Sequence, residues 1–322
     1  KMPNKHAGVV LDRKIGMDEA VHRLEKTGKP KGIIACFDAD SRCEKNYLVA
    51  LENHFRQHPK AQACGIYFEH PLEGAEFGEE VYRAITLYEL HLRYYVLAQR
   101  WAGFPFAFQT IGSSMAVRCD AYQQQGGMNR RQAGEDFYFL HKYIPLGGFS
   151  EISATKILPS PRPSHRVPFG TGKAVGELLR SGVCQTYHPS CFCDLKAFFK
   201  QVPSLFNLEK CGVAACLESL PESVRRFLAE NYFEEKLAEI QSNTTTRPAF
   251  QKRFFRWFDA FLLMKYVHFA RENFHPEMEV TQAAKWLLAD GHGWQAEKLE
   301  SASAKDLLLE MRQLEKCHLS QK

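Results

Sequence analysis

Asp38 and Asp40 stand one residue apart in "GIIACFDADSRCEKNYL". The apolar run before them reads as a buried strand. It would aim both carboxylates beyond its carboxyl end, where open α/β sheets place their ligands. Such a pair suits a hard divalent cation, which takes oxygen ligands and shares them with substrate phosphates. The local alternative is a strand-to-helix turn in which Asp40 or Ser41 caps the following helix. A second acidic pair, Glu135 and Asp136, opens "EDFYFLHKYI", where N-terminal capping of a helix is the simplest role. His188, Cys191 and Cys193 in "YHPSCFCD" are metal-ligating types, but their spacing has no partner half nearby in the chain, which argues against a structural zinc.

These side chains need a scaffold, and the hydrophobic pattern supplies one. Residues 17–27 read as a short helix stopped by Gly and Pro, 32–37 as a buried strand, 44–58 as a helix and 61–69 as a second strand. A long aromatic-rich helix is expected over 79–101, a strand interrupted by small residues over 108–118, and a short helix with a glycine stop in "RCDAYQQQGG". Residues 135–144 then read as helix and 149–158 as strand. Strands alternating with helices predict an α/β sheet with crossovers. Beyond 172 no convincing strand is expected; 221–240, 251–272 and 281–288 read as helices. The stretch 253–274 is aromatic nearly all round with basic residues spaced through it. That pattern fits a core helix or a peripheral contact with a membrane surface or partner.

Composition narrows the function classes. The 42 Lys and Arg and 37 Asp and Glu of the 322 residues give a net charge of +5. They are interspersed, without the basic stripe of a nucleic-acid binder. Ten cysteines without paired spacing favour free thiols in a reducing compartment, the cytoplasm by default. No run approaches the roughly 18 apolar residues of a membrane span.

A phosphohydrolase of the haloacid-dehalogenase type also carries its nucleophile in a DxD after a strand. It calls for Thr or Val after the second aspartate and a later apolar strand ending in an acidic pair. Here Ser41 and Arg42 follow, and Glu135 and Asp136 start a helix, so the fit is poor. The order of four segments points elsewhere. "GVVLDRKIGMDEA", "ACFDADS", "GSSMAVRCDAYQQQGGMNRRQAGEDFYFLHK" and "RPSHRVPFGTG" together resemble the family 2 glycosyltransferases with a GT-A fold, over about residues 8–172.

The resemblance implies a GT-A-like (Rossmann-like) mixed sheet flanked by helices in residues 1–172, followed by a mostly helical region in 173–322. It implies metal-dependent, inverting transfer of a sugar from a nucleotide-sugar donor to a hydroxyl of a glycan or lipid-linked acceptor, in polysaccharide or glycolipid assembly. Such an enzyme would be cytoplasmic and peripheral to the inner face of a membrane. Asp40, with Asp38 behind it, would hold Mg²⁺ or Mn²⁺ against the diphosphate. Asp136 matches the family's general base, and Glu135 would orient acceptor or donor sugar. The helix dipole should keep Asp136 ionised and weaken it as a base.

Arg13 and Lys14 would face the nucleotide, with Asp12 near the base or ribose; a typical member has Asn where Lys14 stands. Gly112, Ser113 and Ser114 would let a sugar approach the backbone, or form a β-bulge. His165 would be a third metal ligand, and Arg166 or Arg162 a phosphate contact. Family members open with a strand of the form "IPxYNE", which has no counterpart before Asn4. An N-terminally incomplete domain is therefore expected, and a truncated or degenerate sugar-binding module without turnover is the alternative function.

Overall fold

The computed structural model of the chain describes residues 9–129, 134–164 and 170–320. Its contacts form two compact units. The first collects Lys1–Glu89, Phe108–Cys184 and Ala304–Lys322, and the second Leu90–Ala107 and Gln185–Ser303.

The first unit is α/β. Strands β1 (Ile33–Cys36), β2 (Arg42–Cys43), β3 (Ala63–Phe68), β4 (Met115–Arg118) and β5 (Phe149–Leu158) form one mixed sheet in the order β1-β4-β3-β5-β2. β4 runs antiparallel to β1 and β3, β3 parallel to β5, and β5 antiparallel to β2. Every residue of β3 is buried, which explains its unbroken apolar run: a central strand covered on both faces needs no polar alternation. Around the sheet lie α1 (Val9–Lys26), α2 (Tyr47–Gln57), the start of α3 (Glu79–Ala102), α4 (Cys119–Gln124), α5 (Glu135–Leu140) and α6 (Thr171–Ser181). α1 packs on β1, where the Met17 sulfur sits 3.7 Å from the Cys36 thiol. Val81, Ala84 and Ile85 of α3 pack against Val175 and Leu178 of α6.

Three expectations change in this unit. The first helix begins at Val9 instead of residue 17. Gly16 costs the helix only about 1 kcal/mol relative to alanine, and the apolar positions continue on either side. Arg13 and Lys14 therefore lie on a helix, not in a loop before one. The strand expected over 108–118 shrinks to β4, because the small residues turn: the Ser114 N–H donates to Ile111 O at 2.9 Å. The helix expected over 135–144 stops at Leu140, and a 3-10 turn, Ile144–Leu146, follows.

The C-terminal helix, Ala304–Ser320, belongs to the sheet unit. Arg312 donates from Nε and Nη2 to the two oxygens of Glu89 at 2.8 and 2.7 Å, and from Nη2 to His70 O at 2.8 Å. Both side chains are buried. Lys316 and Lys156 pair with Glu69 at 2.7 and 2.9 Å. Burial works against the Glu69 charge, but these two lysines outweigh it and hold the carboxyl at about 2.

The second unit is helical. The helix expected over 251–272 is two, Arg247–Trp257 and Ala260–Asn273, because Asp259 caps the second by accepting from the Phe261 and Leu262 N–H groups, each at 2.9 Å. Phe254, Phe258, Leu263, Tyr266 and Val267 are buried. The Phe198 ring packs on Phe254 and Phe258 at 5.8 and 5.6 Å, so these aromatics form core. The helix expected over 221–240 breaks at Tyr232, whose φ is 53°. Two-residue strands at Gln185–Thr186 and Met278–Glu279 pair antiparallel, where none was expected; two residues are too few to leave a periodic pattern. His188 caps the helix Pro189–Gln201 by accepting from the Ser190 N–H at 3.1 Å. Among the described residues no helix is long and apolar enough to cross a membrane.

Candidate functional site

Beyond the carboxyl end of β1 the chain turns, with the Ser41 N–H donating to Asp38 O at 2.9 Å. The Asp38 and Asp40 side chains there are 42% and 39% exposed. α2 begins only at Tyr47, with Asn46 in the N-cap position, so neither Asp40 nor Ser41 caps it. Asn46 ties the turn to β5 instead, donating to Ala154 O and accepting from Thr155 Oγ1, both at 2.9 Å. The capping explanation for Asp40 is thereby removed.

Arg13, on α1, bridges two distant segments. Its Nη2 donates to Asp38 Oδ1 at 2.8 Å and its Nη1 to Glu135 Oε1 at 2.5 Å. Burial works against the guanidinium charge, but Asp38, Cys36 and Glu135 outweigh it and raise the Arg13 pKa. Gly112 makes the room: a Cβ there would lie 2.3 Å from Arg13 Nη1. The Cys36 thiol beneath is pushed up to about 12 by burial.

Glu135 and Asp136 open α5 directly after Gly134, whose φ of 68° is a left-handed conformation that glycine adopts without strain. On the other side of this segment Lys142 donates to Gln125 O and Gly127 O at 3.0 and 2.7 Å, fastening the glycine turn that follows α4. Glu135 is buried, and its partner is Arg13. Asp136 is half-buried and accepts from the Phe137 N–H at 2.8 Å. Burial, then the Glu135 charge, lift its carboxyl from an ordinary 3.8 to about 6. The sequence pointed the other way, toward a carboxylate kept acidic by the helix dipole; desolvation dominates. The result is a carboxylate whose proton affinity suits base catalysis near neutral pH.

Asp40 has a different partner, Arg162 Nε at 2.5 Å, in a pair about 40% exposed on both sides. Lys14 pairs with Asp18 at 2.6 Å along α1, where Asp18 also accepts from the Tyr122 hydroxyl at 2.7 Å. Ser113 and Ser114 are buried, and Ser114 lines a small cavity with Gly65, Gln109 and Glu151. His165 and Arg166 lie outside the described residues. Arg13, Asp38, Gly112 and Glu135 thus converge, with Asp136 adjoining. Sequence reasoning missed Tyr88 on α3, whose hydroxyl is pushed up to about 12 by burial and then by Asp136; a tyrosine on an amphipathic helix carries the same sequence signal as any core aromatic.

Among the described residues no group of three or more His, Cys, Asp or Glu side chains could hold a metal ion alone. Two exposed carboxylates do fit a hard cation that completes its shell with phosphate oxygens. The arginine partners decide which carboxylate is available. An exposed ion pair such as Arg162 with Asp40 is worth about 0–1 kcal/mol, so an incoming cation displaces it readily. Arg13 is largely buried and is held by Glu135 as well. Asp40 is thus the carboxylate with the weaker competing partner.

Comparison with models of known protein families gives no match, and none of the curated proteins matches the chain significantly.

Proposed function

We propose that the chain is a metal-dependent inverting glycosyltransferase with a GT-A-like sheet, moving a sugar from a nucleotide-sugar donor to a hydroxyl of a glycan or lipid-linked acceptor. One observation carries this reading: three segments far apart in sequence meet through Arg13, Asp38 and Glu135, in the chain order of that family's motifs. Asp40 would take Mg²⁺ or Mn²⁺ together with the donor's diphosphate oxygens. The bound cation would neutralise charge that develops on the leaving nucleoside diphosphate. Asp136 accepts the proton of the acceptor hydroxyl as its oxygen attacks the anomeric carbon. The bond from that carbon to the diphosphate breaks, and its electron pair leaves with the diphosphate. Arg162, once released from Asp40, is free to bind a phosphate oxygen.

A second reading, a degenerate module that keeps an acceptor-side sugar pocket without turnover, is favoured by the Arg13 guanidinium filling the space at Gly112, where a sugar on the donor side was expected. Product analysis separates the two. With α-linked nucleotide sugars, Mn²⁺ and a panel of hydroxyl acceptors, proton NMR of the anomeric position is expected to show a β-linked product. A retained α configuration would contradict the inverting scheme; acceptor binding with no conversion would favour the binding module.

A further inference from the structure

We infer that Arg13 is a positioning residue that holds Glu135 out of the reaction, so that Asp136 alone serves as the base, while tying the turn that carries Asp40 to the helix that carries Asp136. The inference rests on the transferase reading and deepens it. The guanidinium is buried and its two donor nitrogens are engaged by different segments, Asp38 Oδ1 on one side and Glu135 Oε1 on the other. A planar fork with fixed donors suits such a bridge, whereas a lysine ammonium is a single point charge on a flexible stem. Gly112 provides the space the fork occupies. So placed, Arg13 is turned toward two carboxylates.

The consequence is electrostatic. Among the described residues, the charged or titratable groups that act on Asp136 or feel its charge are Glu135 beside it, Arg13 from α1, Cys36 from β1 and Tyr88 from α3. Glu135 raises the Asp136 pKa and Arg13 lowers it. Without Arg13 the Glu135 charge is uncompensated, and the Asp136 carboxyl should hold its proton to a higher pH.

The test is a carboxyl-detected NMR titration on aspartate-labelled protein, with Asp136→Asn identifying the signal. It needs no turnover, so its outcome is separate from the product analysis that tests the transferase reading. Arg13→Gln is expected to raise the Asp136 midpoint by about one pH unit. Where conversion is measurable, the acid limb of kcat should move with it, while the donor KM stays within about twofold. Glu135→Gln should lower the midpoint, and in that background Arg13→Gln should raise it again, because Arg13 also acts on Asp136 directly. An unmoved midpoint in Arg13→Gln overturns the inference. So does a tenfold rise in donor KM with the acid limb in place, which would make Arg13 a nucleotide contact. If Arg13→Gln does not fold, Glu135→Gln decides: a midpoint equal to that of the unaltered protein overturns it as well.

Discussion

Asp136→Asn is expected to lower kcat by about 10²–10⁴-fold, the usual contribution of a positioned general base, and at the same time to stabilise the fold at neutral pH. Both effects have one origin. The Asp136 carboxyl titrates at about 6 in the folded protein against an ordinary 3.8, so the folded state binds the proton more tightly than the unfolded state. The stability this contributes is fully present below about 4 and is lost as pH rises through about 6. Above that range the buried charge costs roughly 1–3 kcal/mol, and an asparagine amide of the same shape avoids the cost. Urea unfolding at pH 7.5 should show the variant to be the more stable protein, with the advantage gone at pH 4. In the unaltered protein, any transferase activity should fall on the acid side with a midpoint near 6. An Asp136→Asn protein of full activity removes the proposed base; one that is inactive and less stable points to a structural role.

The largest expected loss of stability lies away from the site, at Arg312. Glu89 is fully buried and Arg312 nearly so, and the guanidinium meets the carboxylate through two nitrogens. Arg312→Leu leaves the Glu89 charge without this partner and is expected to cost about 3–5 kcal/mol. The double variant Glu89→Leu/Arg312→Leu removes both charges and should cost less than the single one, because a buried pair exchanged for apolar side chains is often close to neutral. Chemical denaturation of the three proteins measures this cycle. A single-variant cost below about 1 kcal/mol, the range of an exposed pair, would mean that the C-terminal helix is not anchored there.

The elements that carry the site were legible where one local rule governed them. The strand Phe149–Leu158 was read to the residue, and β1 was recognised from a short apolar run ending in acids. Glu135 and Asp136 announced a helix start in the sequence, although the glycine at the N-cap was not foreseen. Arg13 was recognised as a site residue, yet its role depends on Asp38 and Glu135, 25 and 122 residues away, and no periodicity encodes such a meeting. The return of the C-terminal helix was invisible for the same reason: Arg312 and Glu89 are 223 residues apart. The break at Asp259 was written in the chain as a capping residue, but the aromatic pattern on both sides of it dominated the reading. The elevated Asp136 pKa was misjudged because a dipole effect can be inferred from position in a helix, whereas desolvation depends on what packs around it.

The most direct measurement is thermal unfolding in the presence of a nucleoside diphosphate, Mn²⁺ or both. At ligand concentrations near 100 times Kd, stabilisation of about 2.7 kcal/mol is expected, enough for a shift of several degrees. The proposed metal-dependent donor site predicts a rise in Tm that requires both components, disappears in Asp40→Asn and is reduced but not abolished in Arg162→Gln. Equal shifts in the unaltered protein and in Asp40→Asn, or no coupling between metal and diphosphate with any nucleoside tested, would contradict it.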